Sequence, residues 1–391
     1  MKKIYYITAV FATLFLVGCG DGIDLPGVNV ETDLNKIPLP DNNVNLEQVE
    51  LKPSTEPMLH EGLHTEEDFQ RIRDKKAAGE EPWVSAYQLL VESQFSQKTA
   101  DTYPTEWIKR GVSGDENYMN AARGATIAYQ QALRWKIEQD DEYAAKAVEN
   151  LNKWVQTCVG VTGNTNLSLA AGLYGYEFAI AGELLRDYEG WDRADFAAFQ
   201  NWLLKVFYPA NDDFLKRHHD TNALHYWANW CLCNIAAKMA IGIVTDRRDI
   251  YNEGIDHLQT GDTNGRLRRA IYHDYAPDYN FAQWQESGRD QGHTLMCVGL
   301  MGVICQLAWS QGDDFFAYDD NLFMRACEYA ACCNYTNETV PYTTYIWQKQ
   351  SQWGYPIPEE QTTLGGGKWI KRAIWALPYY HYKGVKDISD D

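Results

Sequence analysis

The chain has 391 residues, 54 acidic against 35 basic side chains and a formal net charge of −19 at pH 7. That balance argues against nucleic acid as a partner, and no basic stripe interleaved with aromatics appears. An acidic substrate stays open, because a few Arg and His inside a cleft outweigh the global charge locally.

Lys2 and Lys3 precede an apolar run from Ile4 to Val17, which closes as Leu16-Val17-Gly18-Cys19. A basic n-region, a short h-region and a small-residue cleavage site predict a signal peptide over residues 1–18. The run is short of the roughly 20 residues of a membrane helix, and no other stretch is expected to span. Leu-Val-Gly-Cys is a lipobox, so cleavage is expected to leave Cys19 as a lipidated first residue. Removing residues 1–18 takes two lysines and no acids, which leaves a still more acidic mature chain. Residues 19–56, rich in Asp, Asn, Pro and Val, read as a flexible tether. The start Cys19-Gly20-Asp21-Gly22-Ile23-Asp24 is similar to lipoproteins sent to the outer membrane of Gram-negative bacteria, with the periplasmic face and the cell surface both open. Attachment is expected through the lipid alone, on a monomer.

Residues 57–391 are expected to form one domain, and the pattern is helical nearly throughout. Thr65 and Asp68 have the spacing of a capping box. Ala144, Ala147, Val148, Leu151, Trp154, Val155 and Cys158 recur at steps of three and four, one face of a helix. Similar runs occupy about 117–137, 168–187, 192–206, 222–243, 294–311, 321–334 and 369–381. Strand alternation is scarce, and turn clusters such as 261–265 separate the helices. Consecutive antiparallel helices with short loops predict an all-α array or (α/α) toroid. Cys231/Cys233 and Cys332/Cys333 lack zinc-finger spacing. They read as buried thiols on helices, with disulfides as the alternative.

Polar chemistry concentrates in three places. Gln285, Glu286, Arg289, Asp290, Gln291 and His293 crowd before the apolar run from Leu295 to Ile304. Charge at the mouth of a buried helix is costly unless paired or used, so the cluster is either a structural network or a site. In 218–234, a helix beginning at Thr221 puts Asn222, His225 and Asn229 on one face, lining a cavity or forming a buried ladder. Zinc ligation by His218, His219 and Asp220 is disfavoured, because adjacent histidines on a helix diverge. Third, Arg266, Arg268 and Arg269 precede Tyr272, His273, Tyr275 and Tyr279, an anion-site candidate in an acidic protein.

Asn222…His225-Tyr226-Trp227-Ala228-Asn229-Trp230, Ile241-Gly242-Ile243 and Gln283-Trp284-Gln285-Glu286-Ser287-Gly288-Arg289-Asp290-Gln291-Gly292-His293-Thr294 together resemble the alginate-lyase superfamily. Among its branches they are most similar to polysaccharide lyase family thirty-eight. Gly62-Leu63-His64-Thr65, Ala170-Ala171-Gly172-Leu173-Tyr174-Gly175-Tyr176 and Tyr379-Tyr380-His381-Tyr382 agree, so the likeness covers about 58–385. It implies an incomplete (α/α) toroid with a cleft across the helix ends. It also implies β-elimination on polyuronates, alginate, polymannuronate or glucuronan, with no cofactor and no metal.

Such a reaction removes the C5 proton beside a uronate carboxylate and expels the oxygen at C4. Arg, Asn or His on the carboxylate spreads the charge that develops, and a base and an acid must reach C5 and the leaving oxygen. The resemblance implies a Tyr for both jobs, Tyr279 ahead of Tyr275, with Arg289 or Arg269 stabilising its phenolate. His225 or His293 neutralises the substrate or serves as base. In other alginate lyases Asn-Asn-His stands before Tyr-Trp, whereas here Ala223 and Leu224 separate Asn222 from His225. Asn166 is a second carboxylate clamp or a helix cap. Asn229, Gln285, Glu286 and Gln291 are expected near substrate, and Trp227, Trp230 and Trp284 offer stacking faces. Glu286 and Asp290 are a poor glycosidase acid pair and fit salt bridges better. The alternatives are a glycoside hydrolase on a similar toroid and a non-catalytic glycan-binding lipoprotein.

Overall fold

The computed structural model describes residues 54–388. The signal peptide, Cys19 and most of the predicted tether lie outside the described residues. The tether's last residues, 54–56, are bound to the domain: Asn252 Nδ2 donates to Ser54 O at 3.1 Å and Arg248 Nε to Glu56 O at 2.8 Å.

Helices follow one another as inner and outer pairs. α1 (Glu66–Ala77) and α2 (Trp83–Glu92) lead to the short strand β1 (Trp107–Arg110). Then come α3 (Tyr118–Glu138), α4 (Asp141–Thr157), β2 (Gly160–Gly163), α5 (Leu167–Leu184), α6 (Arg193–Val206) and α7 (Tyr208–Arg217). α8 (Ala228–Val244), α9 (Arg248–Thr260) and α10 (Leu267–Ala270) precede the antiparallel pair β3 (Ile271–Asp274) and β4 (Ala282–Trp284). α11 (Gln291–Ser310), α12 (Tyr318–Tyr335), the hairpin β5 (Tyr345–Gln350) and β6 (Pro356–Gln361), and α13 (Ala376–Tyr380) complete the described chain.

The inner helices are apolar on every side, which is the pattern of a helix buried all round. Every residue of α8 is buried, as is nearly all of α5 and α11. α3, α5, α8 and α11 pack in that order. Gly172 lets α5 close on α8, for a Cβ there would stand 2.5 Å from Cys233 Sγ. The outer helix α4 buries the predicted stripe except for the half-buried Val155, and Thr65 and Asp68 form the predicted capping box on α1.

The four inner helices run the same way. The loops entering them contact one another, β1 before α3 pairing in parallel with β2 before α5, and at the far end Arg186 beyond α5 donates to the last carbonyls of α8. All four N-termini, the positive dipole ends, therefore share one end of the toroid. α11 is long and apolar enough to cross a membrane by length and composition, which the sequence expectation did not foresee; 78% of its apolar window is buried in the toroid.

The predicted helix at 369–381 reduces to α13 and one wider turn beyond it. Gly365 to Gly367 and their neighbours lie instead against the entrance of α11, where Gln291 N donates to Gly366 O at 2.9 Å. All eight cysteines of the described residues are free thiols, and all but the half-buried Cys332 are buried.

Candidate functional site

The loop before α8 departs from the predicted helix. α7 ends in three successive left-handed residues, His218, His219 and Asp220, at φ 50, 52 and 60°. Such backbone is strained for side chains with a Cβ and needs support. Thr221 Oγ1 donates to His218 O at 2.7 Å, and His219 Nε2 lies 2.9 Å from Ser168 Oγ at the start of α5. Residues 221–227 then form a turn, so Asn222 and His225 share no helical face with Asn229.

Polar side chains from elsewhere replace the missing helical bonds. Asn264 Nδ2 donates to Leu224 O and Tyr226 O, and Gln285 Oε1 accepts from Ala228 N at 3.0 Å. Asn222 is a strut. Its Nδ2 donates to Gln348 O and Gln350 Oε1, and its Oδ1 accepts from Leu224 N. With both ends of the amide committed, the expected catalytic role of Asn222 is corrected to holding the hairpin.

His225 sits under that hairpin. Its Nδ1 accepts the backbone N–H of Gln350 at 2.8 Å, so the neutral ring carries its proton on Nε2. Trp347 lies parallel to it at 5.8 Å and donates from Nε1 to His225 O at 2.7 Å. Burial, reinforced by Lys349, lowers its pKa to about 4. Near neutral pH, His225 is therefore an uncharged N–H donor, suited to gripping a carboxylate and not to taking a proton at Nε2.

Trp347 stacks on Trp227 at 5.1 Å, and the Arg289 guanidinium lies 5.3 Å from the Trp227 ring. Arg289 Nη1 stands 3.4 Å from Glu286 Oε2. Glu286 is wholly buried, and its Oε1 accepts from Asn229 N at 3.1 Å and Asn229 Nδ2 at 2.5 Å. Asp290 caps α11 by accepting from His293 N at 2.8 Å, and its Oδ2 lies 2.5 Å from His293 Nδ1. Burial pushes the Asp290 carboxyl up, but His293 and Arg289 outweigh it and hold it low.

Several predicted substrate contacts are thereby corrected. Trp284, Gln285, Glu286 and Asn229 have no exposed surface, and Gln291 and Trp230 almost none. Trp284 donates to Ala326 O at 2.9 Å inside the core. These polar groups join the starts of α8 and α11, where unpaired backbone and charge would otherwise be buried.

The tyrosines divide. Tyr275 donates to Gln283 Oε1 at 2.5 Å and contacts Thr343 Oγ1 at 3.1 Å, and burial raises its pKa. Tyr279, on the loop between β3 and β4, is 54% exposed, and its phenol makes no hydrogen bond with the described residues. The expected pairing of Tyr279 with an arginine is not seen. Arg289 faces Glu286, and Arg269 lies near Tyr345 and Arg266, where burial and then Arg266 lower its pKa. Asn166 precedes α5 without capping it: its Nδ2 donates to Asn164 Oδ1 at 2.9 Å, and its own Oδ1 is buried without a partner.

Sequence reasoning missed Trp347 and Gln350. The only signal was compositional, the β-forming run Tyr345-Ile346-Trp347, because burial along 345–350 does not alternate strictly.

The alginate lyase family profile matches residues 72–338. No curated protein matches the sequence. Among solved structures, the chain is similar to alginate lyase A1-III of Sphingomonas species A1. A histidine-to-alanine variant of that enzyme with a tetrasaccharide has 14% identity over 72% of this chain and 82% of the other, with a TM-score of 0.54. Its apo form gives 14% identity, 73% and 83% coverage, and a TM-score of 0.52. An alginate lyase from Bacteroides ovatus gives 13% identity, 69% and 81% coverage, and a TM-score of 0.47. The profile spans more than half the chain and the fold is the shared (α/α) toroid, so this chain belongs to the alginate lyase family of polysaccharide lyases.

Proposed function

We propose that the protein cleaves a uronic-acid polymer by β-elimination, leaving a 4,5-unsaturated uronate at the new non-reducing end. The observation that carries this reading is the His225 ring, fixed by Gln350 as a neutral donor at the positive ends of the inner helices. An Nε2–H there bonds the substrate carboxylate without adding a proton that could be lost to it. Arg289, over Trp227, supplies charge for the enolate-like intermediate. Tyr279, whose phenol is exposed and uncommitted, takes the C5 proton and returns one to the departing C4 oxygen.

The hydrolase reading needs two available carboxylates. Glu286 is buried against Arg289 and Asn229, and Asp290 is a helix cap, so neither is free for acid–base work. The motif at 283–294 favours the family-thirty-eight branch. A lipid anchor at Cys19 would hold a monomeric enzyme at the outer membrane.

The test is incubation with polymannuronate, polyguluronate and glucuronan, followed by ultraviolet absorbance of the conjugated product. Rising absorbance with one of them supports the proposal. Reducing ends without absorbance would turn the reading to hydrolysis.

A further inference from the structure

The end of the toroid opposite the cleft carries an apolar surface that the fold leaves uncovered. The last described stretch runs along α11 from the cleft end downward. A Cβ on Gly292 would stand 3.7 Å from Ile370, one on Gly299 3.0 Å from Ile374 and one on Gly302 3.4 Å from Leu377. The stretch reaches the far end at His381, whose ring meets Trp309 edge-on at 4.8 Å. Trp309, Tyr379, Tyr380 and Val385 are all exposed there, Val385 by 54%. The Tyr379 and Tyr380 ring centres are 5.2 Å apart. Grouped exposed side chains of this size mark a surface that meets something other than water.

Two lysines border the patch. Lys383 Nζ lies 5.4 Å from the Tyr379 ring and donates to its hydroxyl at 3.1 Å. Lys386 Nζ lies 5.3 Å from the Trp309 ring and pairs with Asp314. Rings with an apolar body and a polar tip, edged by lysines, are the side chains that settle at the level of lipid headgroups. The N-terminal arm enters at this same end. Gln311, two residues beyond Trp309, accepts from Leu59 N at 2.9 Å and donates to Leu59 O at 3.0 Å, and the Leu59 side chain is exposed. Arg248 and Asn252, at the start of α9, hold Glu56 and Ser54. Cys19 precedes Ser54 by only 35 residues, so a lipid there and this face can meet one bilayer.

We propose that this end of the toroid docks on the phospholipid surface to which Cys19 is attached, with Trp309, Tyr379, Tyr380 and Val385 set among the headgroups. The inference rests on the lipid anchor read above and adds an orientation to it. Arg289 precedes α11 at its other end, about 30 Å away along a helix of 20 residues. The cleft therefore opens away from the membrane, toward the polymer. Of the nearby acids, Asp313 accepts from Tyr251 and Asp314 pairs with Lys386, while Asp387 stays exposed. The face is thus not polybasic, and its binding draws on buried apolar surface more than on lipid charge.

The test is hydrogen exchange on the mature chain carrying its lipid, in vesicles of phosphatidylethanolamine and phosphatidylcholine, against the mature Cys19→Ser chain free in solution. Exchange should slow at 54–61 and 377–388 and stay unchanged at 222–228 and 345–355. Slowing at the cleft, or nowhere, would overturn the proposal. The Cys19→Ser chain should also sediment with these vesicles, with little dependence on salt. Adding Tyr379→Asp and Val385→Asp should weaken that binding at least about tenfold, and equal binding would overturn the assigned face. Both side chains are exposed, so melting should not move, and the exchange measurement needs neither variant. Turnover of dissolved polymer should be the same on vesicles as in solution; a loss on vesicles would overturn the orientation. If Cys19 proves by mass to carry no lipid while 377–388 still binds vesicles, the anchor reading fails and the face stands. If Cys19 is lipidated and 377–388 exchanges on vesicles as in solution, the anchor stands and the face fails. Slowing at 377–388 that follows protein concentration without lipid would give the face to a second copy and overturn the proposal.

Discussion

The backbone N–H of Gln350 donates to Nδ1 of His225 at 2.8 Å, so a hairpin strand sets the tautomer of a ring in a helical cleft. A main-chain donor cannot be lost by a side-chain rotation, and it leaves Nε2–H as the ring's only outward donor. His225→Ala should lower kcat by about a hundredfold, the size of a lost transition-state donor. His225→Gln retains an N–H donor and should lose less. Equal and complete loss in both variants would point to a proton transfer at this ring instead.

Arg289 has two duties. It neutralises the buried Glu286, and breaking a buried pair costs about 3 kcal/mol. Arg289→Ala should therefore lower the melting temperature markedly. Arg289→Lys keeps the charge and should hold the fold, yet lose about a hundredfold in turnover because the planar fork is gone. A melting loss in Arg289→Lys with unchanged turnover per folded molecule would make its role structural.

The two tyrosines separate chemically. Tyr275→Phe strips a hydrogen bond from Gln283 and should cost about 1 kcal/mol of stability. Tyr279→Phe removes an exposed, unbonded hydroxyl and should leave melting unchanged while abolishing turnover. An active Tyr279→Phe beside a folded, inactive Tyr275→Phe would move the base to Tyr275.

The toroid was legible because α5, α8 and α11 are apolar all round while α4 and α9 are striped, a contrast visible in sequence. The site was less so. Asn222 and His225 have helical spacing, but Gln350, Gln285 and Asn264 satisfy their loop from more than thirty residues away, which periodicity cannot register. Trp284 and Glu286 stand in the right motif, yet burial decides that they build the cleft wall and do not touch its contents.

Acid should destabilise the fold before carboxylates titrate fully. His64, His225 and His257 are each lowered to about 4 from 6.5, mainly by burial. Between those values the unfolded chain binds protons that the folded chain refuses. Their stabilising contribution is full above 6.5 and is lost as pH falls toward 4. Melting temperature should drop across that window, and a flat profile would contradict the burial of these rings. Glu177 acts in the opposite sense. Burial holds its carboxyl well above 4.5, so its contribution is present below that value and lost as pH rises. Glu177→Gln should raise the melting temperature at about pH 8 and change it little at about pH 4.

Exhaustive chelation should leave turnover unchanged, since the proposed charge neutralisation uses His225, Arg289 and helix dipoles. Activity lost on chelation and restored by zinc or calcium would assign that duty to a metal.

The central claim concerns which bond breaks, and cleavage in oxygen-labelled water reads it directly. Elimination severs the C4–O bond, so the new reducing end keeps the polymer's own oxygen and the other fragment is unsaturated. Mass spectrometry early in the reaction should show unsaturated products without label. Saturated products carrying label at the new reducing end would mean that water cut the C1–O bond, and the lyase account would be wrong.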